Sequence, residues 1–311
     1  MRVISLFSGI GGLDKGFTDV GFDVIWANDC DKYAVQTYKA NYQNELVFED
    51  INKISLEDIP DFDVLIGGFP CQPFSMMGGQ RGFDDARGTL FFRIAEIIKY
   101  KIEMGHKPTA IVLENVRALK SHDKGRTFST IERILTKDLG YKVFSEILNS
   151  ADYGVPQVRN RTYIVCFSNQ KTEFVFPQKR ALEVSLQDCL ETNVADKYFL
   201  SERIIPTIMS NGTGGYKAKC DIDLKIARPL CATMGKMHRA CQDNYVTENG
   251  KIRRLTPREC ARLQGFDDSF IIPVSDCQAY KQFGNAVTVN VSRSVAEEVK
   301  KALIISGEWK Q

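Results

Sequence analysis

The sequence predicts an α/β fold in which a mostly parallel sheet carries helices on both faces, with a smaller, loop-rich module beside it. Short apolar runs alternate with amphipathic stretches through the first half of the chain, which is typical of consecutive βαβ units. From about Val175 this alternation stops, and residues 176–250 contain polar pieces such as SNGTGGYKAK (210–219). These two observations predict one sheet-based domain and one irregular module.

The predicted strands share an unusual ending. They are RVISL (2–6), FDVIWA (22–27), DVLIGG (63–68), AIVLEN (110–115) and TYIVCF (162–167). Three of them run into the polar or glycine-rich sequences FSGIGG, GGFPCQ and ENV. Because ligands bind at the carboxyl ends of strands in such sheets, we expect these sequences to converge on one site.

The predicted helices fill the spaces between the strands. They cover Leu13 to Val20, residues 31–41, residues 87–102 and a stretch from about Val289. In the last of these, apolar residues recur every four positions, at Val291, Val295, Val299 and Leu303. This spacing predicts a helix that packs back on the first domain.

Composition excludes several classes of protein. The chain has 311 residues, 43% of them hydrophobic and 26% charged, with no apolar run long enough for a signal peptide or a membrane span. Its nine cysteines form no CxxC pair and its three histidines are far apart, which predicts neither disulfides nor a metal site and favours a reducing cytoplasm. The net charge is only +2, yet residues 217–262 contain 11 Lys and Arg against five acids. That excess suits either a polyanion partner or a solvated basic face.

The glycine loop after the first strand is a candidate cofactor site. FSGIGG (7–12) has the spacing G-x-G-G, not the G-x-G-x-x-G of dinucleotide-binding loops. Asp29 and Asp31 follow about 17 residues later, where a nucleotide-binding fold places its ribose-binding carboxylate. A nucleoside without phosphates, such as S-adenosylmethionine, meets both features. A plain tight turn is the alternative.

Cys71 is a candidate nucleophile. It lies in GGFPCQPFS (67–75), directly after a predicted strand and between two prolines. The following segment, MMGGQRGFDDARG (76–88), has four glycines and resembles a loop that closes over a site. The alternative is an ordinary buried thiol.

Two further polar groups follow predicted strands. Glu114 lies at the end of AIVLEN and suits a general acid, although a solvated or capping carboxylate is the alternative. In QVRNR (157–161), Gln157, Arg159 and Arg161 are two residues apart, so in a strand all three share one face. They predict either a row of donors for a carbonyl or phosphate, or a surface salt-bridge ladder.

Taken together, these stretches resemble the DNA (cytosine-5)-methyltransferases of the bacterial restriction-modification type. The resemblance covers almost the whole chain in the order of the family's motifs. The matching stretches are FSGIGG (7–12), NDCD (28–31), EDI (49–51), GFPCQPFS (68–75), ENV (114–116), QVRNR (157–161), RRLTPRECARLQGF (253–266) and QFGNAV (282–287).

The resemblance implies a domain organisation. Residues 1–180 and 277–311 correspond to the catalytic domain, with the Rossmann-like fold of S-adenosylmethionine-dependent methyltransferases. Residues 181–276 correspond to the target recognition domain, and the segment 227–246 is where we expect recognition loops.

The resemblance also implies a catalytic mechanism. Cys71 attacks C6 of a cytosine that has left the DNA stack, and the methyl group of S-adenosylmethionine is transferred to C5. Glu114 contacts the N3 edge of the base. Arg161 supports the thiolate and the cytosine O2, with Arg159 and Gln157 beside it.

The resemblance further implies residues that bind the cofactor and the DNA. The cofactor residues are Phe7, Gly9, Gly11, Asp29, Asp50, Ile51, Pro70, Leu90 and Asn285. Arg81, Arg87 and Thr233 correspond to DNA-backbone contacts. One departure is Cys30, where close relatives can have an aromatic residue against the adenine.

Several expectations about partners follow from the same resemblance. The substrate is double-stranded DNA with a specific short site. Methyl transfer converts S-adenosylmethionine to S-adenosylhomocysteine, and no metal is required. We expect a cytoplasmic, nucleoid-associated monomer that binds no membrane, with a cognate restriction endonuclease encoded nearby. The alternatives are a transfer-RNA methyltransferase of the same fold, an inactive DNA-binding relative and a NAD-dependent oxidoreductase.

Overall fold

The computed structural model describes residues 1–69, 90–210, 212–213, 216–217 and 220–309, and it contains a seven-stranded sheet. The strands are β1 (Arg2–Leu6), β2 (Asp23–Asp29), β3 (Glu45–Phe48), β4 (Val64–Gly68), β5 (Ala110–Val116), β6 (Lys142–Asn149) and β7 (Asn160–Phe167). Their order is β3-β2-β1-β4-β5-β7-β6, and the first five are parallel while β7 is antiparallel to both neighbours. The prediction of a mostly parallel α/β sheet is confirmed.

Helices lie on both faces of this sheet and in the module beside it. They are α1 (Gly12–Thr18), α2 (Lys32–Asn41), α3 (Leu90–Glu103), α4 (Arg126–Arg133), α5 (Ile205–Met209), α6 (Pro257–Arg262), α7 (Asp276–Asn285) and α8 (Val289–Ile305). Successive residues of a strand point to opposite faces, so Ile4 of β1 packs in one core with Ile94 of α3. Val3 packs in the other core with Val295 and Val299 of α8, which confirms the predicted apolar stripe of this helix.

Residues 176–250 form short elements, as the sequence predicted. Besides α5 they contain β8 (Gly212–Thr213) and β9 (Tyr216–Lys217). A hairpin joins β10 (Tyr245–Glu248) to β11 (Lys251–Arg254), and its two turn residues Asn249 and Gly250 have φ values of 50° and 74°. Asn-Gly suits this turn because both positions require a left-handed backbone.

The irregular module is packed against the sheet domain through a third core. Leu230 and Val246 of the module lie in one cluster with Ile10 from the first glycine loop and Phe283 of α7. Within the region 181–276, the Arg253 guanidinium of β11 makes a buried bidentate pair with Glu259 of α6, at 2.8 and 2.9 Å. The boundaries at residues 180 and 276 stay a prediction.

Candidate active site

A cavity of about 590 Å³ lies at the carboxyl ends of β1, β2, β4 and β5. Its lining also includes the turn after β3, the start of α3, the start of β7, and α7 with the turn that follows it. The predicted site residues that line it are Phe7, Gly9, Asp29, Asp50, Ile51, Leu90, Glu114, Arg159, Arg161 and Asn285. The structure therefore brings together side chains from six of the sequence stretches that were singled out above.

The loop after β1 lines one end of the cavity, and it has an unusual backbone conformation. Phe7 has a φ of 55°, an unusual backbone conformation for a bulky residue, and Gly9 has a φ of 57°. A Cβ atom on Gly9 would meet no atom within 4 Å, so this glycine borders open space. Its amide donates to Oδ2 of Asp29 at 2.8 Å, and the Asp31 amide donates to Oδ1 at 2.7 Å. Burial raises the pKa of Asp29, and these two amides oppose that shift.

Gly11 lies against the ring of Tyr42, and its predicted contact with the cofactor stays a prediction. Its φ is 81°, and a Cβ atom there would lie 2.4 Å from the ring of Tyr42. The Tyr42 hydroxyl donates to the Gly11 carbonyl at 2.9 Å. The close approach that requires glycine at this position is therefore an approach to Tyr42, and Gly11 is not among the residues that line the cavity.

Two asparagines that the sequence analysis did not assign hold neighbouring segments of the site. The Asn28 amide donates to the carbonyls of Val47 and Glu49, at 3.0 and 2.9 Å, and so fixes the chain next to Asp50. The Asn115 amide donates to the carbonyl of Phe69 at 2.7 Å. Both asparagines are buried at the carboxyl ends of strands, and that position was the available signal.

Cys30 and Ile51 line the same part of the cavity. Cys30 is exposed as a residue, but partial burial of its thiol, together with the nearby carboxylates of Asp29 and Asp50, raises its pKa. Asp50 caps the turn 51–53 by accepting from the Asn52 amide at 3.0 Å. This end of the cavity therefore combines apolar walls with two fixed carboxylates.

Glu114 and Arg161 form an ion pair at the other end of the cavity. They lie on the adjacent strands β5 and β7, and Nε of Arg161 is 3.1 Å from Oε1 of Glu114. Glu114 is only 8% exposed. Burial raises the pKa of Glu114, while the positive charges of Arg161 and Arg159 oppose that shift. This carboxyl group therefore holds a proton more readily than an ordinary glutamate.

Arg159 and Gln157 are buried, which rules out a surface salt-bridge ladder. The three residues do not lie in one strand, because β7 begins at Asn160 and Gln157 forms an isolated bridge with Ala227, although Arg159 and Arg161 both line the cavity. Arg159 lines the cavity, but its guanidinium donates to three backbone carbonyls of this chain. Gln157 is not among the residues that line the cavity.

The remaining predicted residues are Pro70, Cys71, Arg81, Arg87 and Thr233. Pro70, Cys71, Arg81 and Arg87 are outside the described residues. The segment that carries Cys71 begins directly after Phe69, whose carbonyl is fixed by Asn115 next to Glu114. Thr233 is half-buried in a turn, where its carbonyl accepts from the Lys236 amide at 3.0 Å, and its contact with DNA stays a prediction.

The described residues hold neither a candidate metal centre nor a membrane-spanning helix. They contain no group of three or more His, Cys, Asp and Glu side chains placed to hold a metal ion. In the same part of the chain, no helix is both long enough and apolar enough to cross a membrane.

Comparison with known proteins agrees with this geometry. A family model described as C-5 cytosine-specific DNA methylase matches residues 1–301. The type II methyltransferase M.NlaX of Neisseria lactamica is 43% identical over 312 residues, with 97% of each chain covered. The type II methyltransferase M.HhaI of Haemophilus parahaemolyticus is 36% identical, with 97% of this chain and 95% of the relative covered.

Solved structures support the fold. A methyltransferase of Entamoeba histolytica, EhMeth, superposes with a TM-score of 0.78 at 23% identity, covering 97% of this chain and 98% of the other. The Dnmt2 methyltransferase of S. pombe also gives a TM-score of 0.78, at 20% identity and 99% coverage of both chains.

Proposed function

Because this chain belongs to the C-5 cytosine-specific DNA methylase family, we propose that its cavity is the site at which cytosine in DNA is methylated at C5. The observation that carries the proposal is that the Glu114–Arg161 ion pair and the loop of Phe7 and Gly9 with Asp29 line the same cavity. The Glu114–Arg161 end of the cavity can hold a base through a protonated carboxyl group. The end lined by Phe7 and Asp29 can hold a nucleoside cofactor.

The first part of the proposal concerns S-adenosylmethionine. The residues fit this group, because Gly9 leaves open space beside the backbone, Asp29 offers fixed carboxylate oxygens, and Ile51 supplies an apolar wall. A volume of about 590 Å³ lies within the range of small-molecule sites. Phe7, Asp50, Leu90, Asn285 and Pro70 complete the proposed cofactor set, with Gly11 acting through Tyr42. When bound, the cofactor supplies an electrophilic methyl group and leaves as S-adenosylhomocysteine.

Glu114 and Arg161 are proposed to activate the base. A raised pKa lets Glu114 donate a proton to N3 of cytosine, which draws electron density from C6. Arg161 keeps Glu114 oriented and contributes positive charge near the cytosine O2. The pair thereby makes C6 susceptible to a nucleophile.

Cys71 is proposed as that nucleophile. Its thiolate forms a bond to C6, and N3 takes a proton, so that C5 becomes an enamine-type carbon able to accept the methyl group. A solvent water then takes the C5 proton, the sulfur–C6 bond breaks by β-elimination to regenerate the thiolate, and N3 returns its proton to the Glu114 carboxylate. Asn115 supports this role, because it fixes the Phe69 carbonyl two residues before Cys71 and next to Glu114.

The DNA contacts and partners form the last part of the proposal. The target cytosine leaves the stack to enter the cavity. Arg81, Arg87 and Thr233 contact the backbone, and residues 181–276 read a short double-stranded site. The names of the relatives support a type II modification methyltransferase. We further propose that it acts as a monomer in the cytoplasm on nucleoid DNA, with a restriction endonuclease encoded nearby as its functional partner.

Bisulfite sequencing tests this function directly. DNA from cells that express the protein should contain 5-methylcytosine at one short sequence, whereas DNA from cells that express Cys71→Ser should contain none. Methylation that persists in the Cys71→Ser cells would contradict the assigned nucleophile. Absence of methylation from the wild-type cells, with the protein present and folded, would contradict the function itself.

A further inference from the structure

We propose that Gln157, Arg159 and Gly284 form a buried junction that positions residues 230–232 of the recognition region against the cavity. In this proposal Gln157 and Arg159 are positioning residues, which act through the backbone of other segments. The inference rests on the proposed function, since it assigns the way in which the DNA-reading region is held relative to Glu114.

The junction begins where two segments run side by side. The Ala227 amide donates to the Pro156 carbonyl at 2.8 Å, and the Val158 amide donates to the Ala227 carbonyl at 2.9 Å. Residues 227–232 therefore follow the chain that leads into β7, which also carries Arg161. This contact joins the recognition region to the strand that builds the catalytic pair.

Gln157 links this segment to Leu263 through the two ends of its amide. Its Oε1 accepts from the Leu230 amide at 2.9 Å, and its Nε2 donates to the Leu263 carbonyl at 2.6 Å. Gln157 and Leu230 are both buried, so water cannot easily replace these bonds. Truncation of Gln157 would leave two backbone groups without their partners.

Arg159 fixes the same residue from the other side. Its Nη1 donates to the Leu230 carbonyl at 3.2 Å, while its Nη2 donates to the carbonyls of Gly284 and Ala286 at 2.9 and 2.8 Å. Asn285, between those two carbonyls, lines the cavity. One guanidinium, only 2% exposed, therefore connects the recognition segment with the turn proposed to bind the cofactor.

Gly284 allows the recognition segment to pass at close range. A Cβ atom at this position would lie 2.2 Å from the Ala232 nitrogen and 2.4 Å from the Cys231 carbonyl carbon. Both neighbours are backbone atoms, so a side chain at residue 284 would require the segment itself to move. Thr233, the predicted DNA contact, is the next residue along that segment.

The connections of the two polar residues differ, and the difference makes the proposal testable. Gln157 contacts the recognition segment, Leu263 and the Gln264 side chain, whereas Arg159 donates directly to the cofactor turn. Loss of Gln157 should therefore disturb DNA recognition alone. Loss of the hydrogen bonds that the Arg159 guanidinium makes should disturb both DNA recognition and cofactor binding.

The experiment compares Gln157→Met, Arg159→Lys and Gly284→Ala with the wild-type protein. Hydrogen–deuterium exchange over residues 228–234 is measured without ligands, together with dissociation constants for a short duplex carrying the methylated site and for S-adenosylmethionine. For Gln157→Met we expect exchange and the DNA dissociation constant to rise by about tenfold, with the cofactor constant within about twofold of wild type. Gly284→Ala should weaken DNA binding similarly, and Arg159→Lys should weaken both ligands.

Gln187→Met is the matched control, because Gln187 is an exposed residue of the same module that also donates to a backbone carbonyl, that of Leu224. It should change none of the three quantities. Unchanged exchange and DNA affinity in Gln157→Met would overturn the junction, as would equal weakening of cofactor and DNA, which indicates general loosening. The exchange measurement needs no enzymatic activity, so failure of the proposed function would not be mistaken for failure of the junction.

Discussion

Nε of Arg161 lies 3.1 Å from Oε1 of Glu114, across the antiparallel pair of β7 and β5. The two residues therefore belong to the framework of the sheet, and their separation does not depend on a surface loop. Burial raises the pKa of Glu114 while Arg161 opposes the shift, so the carboxyl group is both oriented and able to hold a proton. This relationship underlies the first two predictions.

Replacing Glu114 by Gln should lower kcat by about 10²-fold or more, because an amide cannot donate the proton that a carboxylic acid supplies to N3. The substitution keeps the side chain's size and its acceptor toward Arg161, so DNA binding should be retained. Single-turnover methylation and a DNA-binding titration check both parts. A kcat close to that of wild type would remove the acid role.

The rate should also depend on pH in a defined direction. Because Glu114 acts in its protonated form, kcat should fall as pH rises through the pKa of Glu114, which burial has raised. In Glu114→Gln this limb of the pH–rate profile should disappear. If the limb persists in Glu114→Gln, another group is responsible for it.

Gly9 and Gly11 should respond differently to substitution by alanine. At Gly9, alanine should lower the stability by only about 1–2 kcal/mol, because the backbone there is left-handed. Its methyl group occupies the open space of the proposed cofactor site. At Gly11, alanine meets Tyr42 as well, so the loss of stability should be larger. Denaturant unfolding and cofactor titration separate the two effects. Equal stability losses with unchanged cofactor affinity in Gly9→Ala would contradict these assignments.

Asp14 should make the stability of the protein depend on pH. It is 1% exposed and accepts from the hydroxyls of Ser5 and Tyr38, and burial raises its pKa to about 6 from 3.8. The folded state therefore binds this proton more tightly than the unfolded state. The resulting stabilisation is complete below the unfolded pKa and is lost as pH rises through about 6.

The size of this contribution is about 3 kcal/mol, at about 1.4 kcal/mol for each pH unit between the two pKa values. Other groups also titrate, so the test is a difference between proteins. The gain in unfolding free energy from pH 7.5 to pH 5 should be larger in wild type than in Asp14→Asn. An identical gain in both proteins would show that Asp14 does not titrate in this range.

The sequence predicted the sheet domain well because its strands are strongly apolar and its helices keep a regular period. β3 and β6 were not predicted. β3 has only four residues, and β6 is a half-buried edge strand in which Lys142, Ser145 and Glu146 interrupt the apolar pattern.

The convergence of Phe7, Asp29 and Glu114 on one cavity was predicted, because strand ends meet at one edge of a parallel sheet. The partners of Gln157 and Arg159 were not predicted. Gln157 bonds to residues 73 and 106 positions away, and such pairings depend on how the irregular module packs. Local spacing in QVRNR contains no information about them.

Formation of a covalent adduct tests the central claim most directly. The protein is incubated with S-adenosylmethionine and a duplex in which the target cytosine is replaced by 5-fluorocytosine, and the products are separated under denaturing conditions. A base cannot remove fluorine from C5 as it removes a proton, so β-elimination is blocked. The bond between Cys71 and C6 should therefore persist, and the protein should migrate as a stable protein–DNA complex. Cys71→Ser should form no complex, whereas Cys30→Ser should still form it. Absence of a complex with the wild-type protein, or its presence with Cys71→Ser, would contradict covalent catalysis by Cys71.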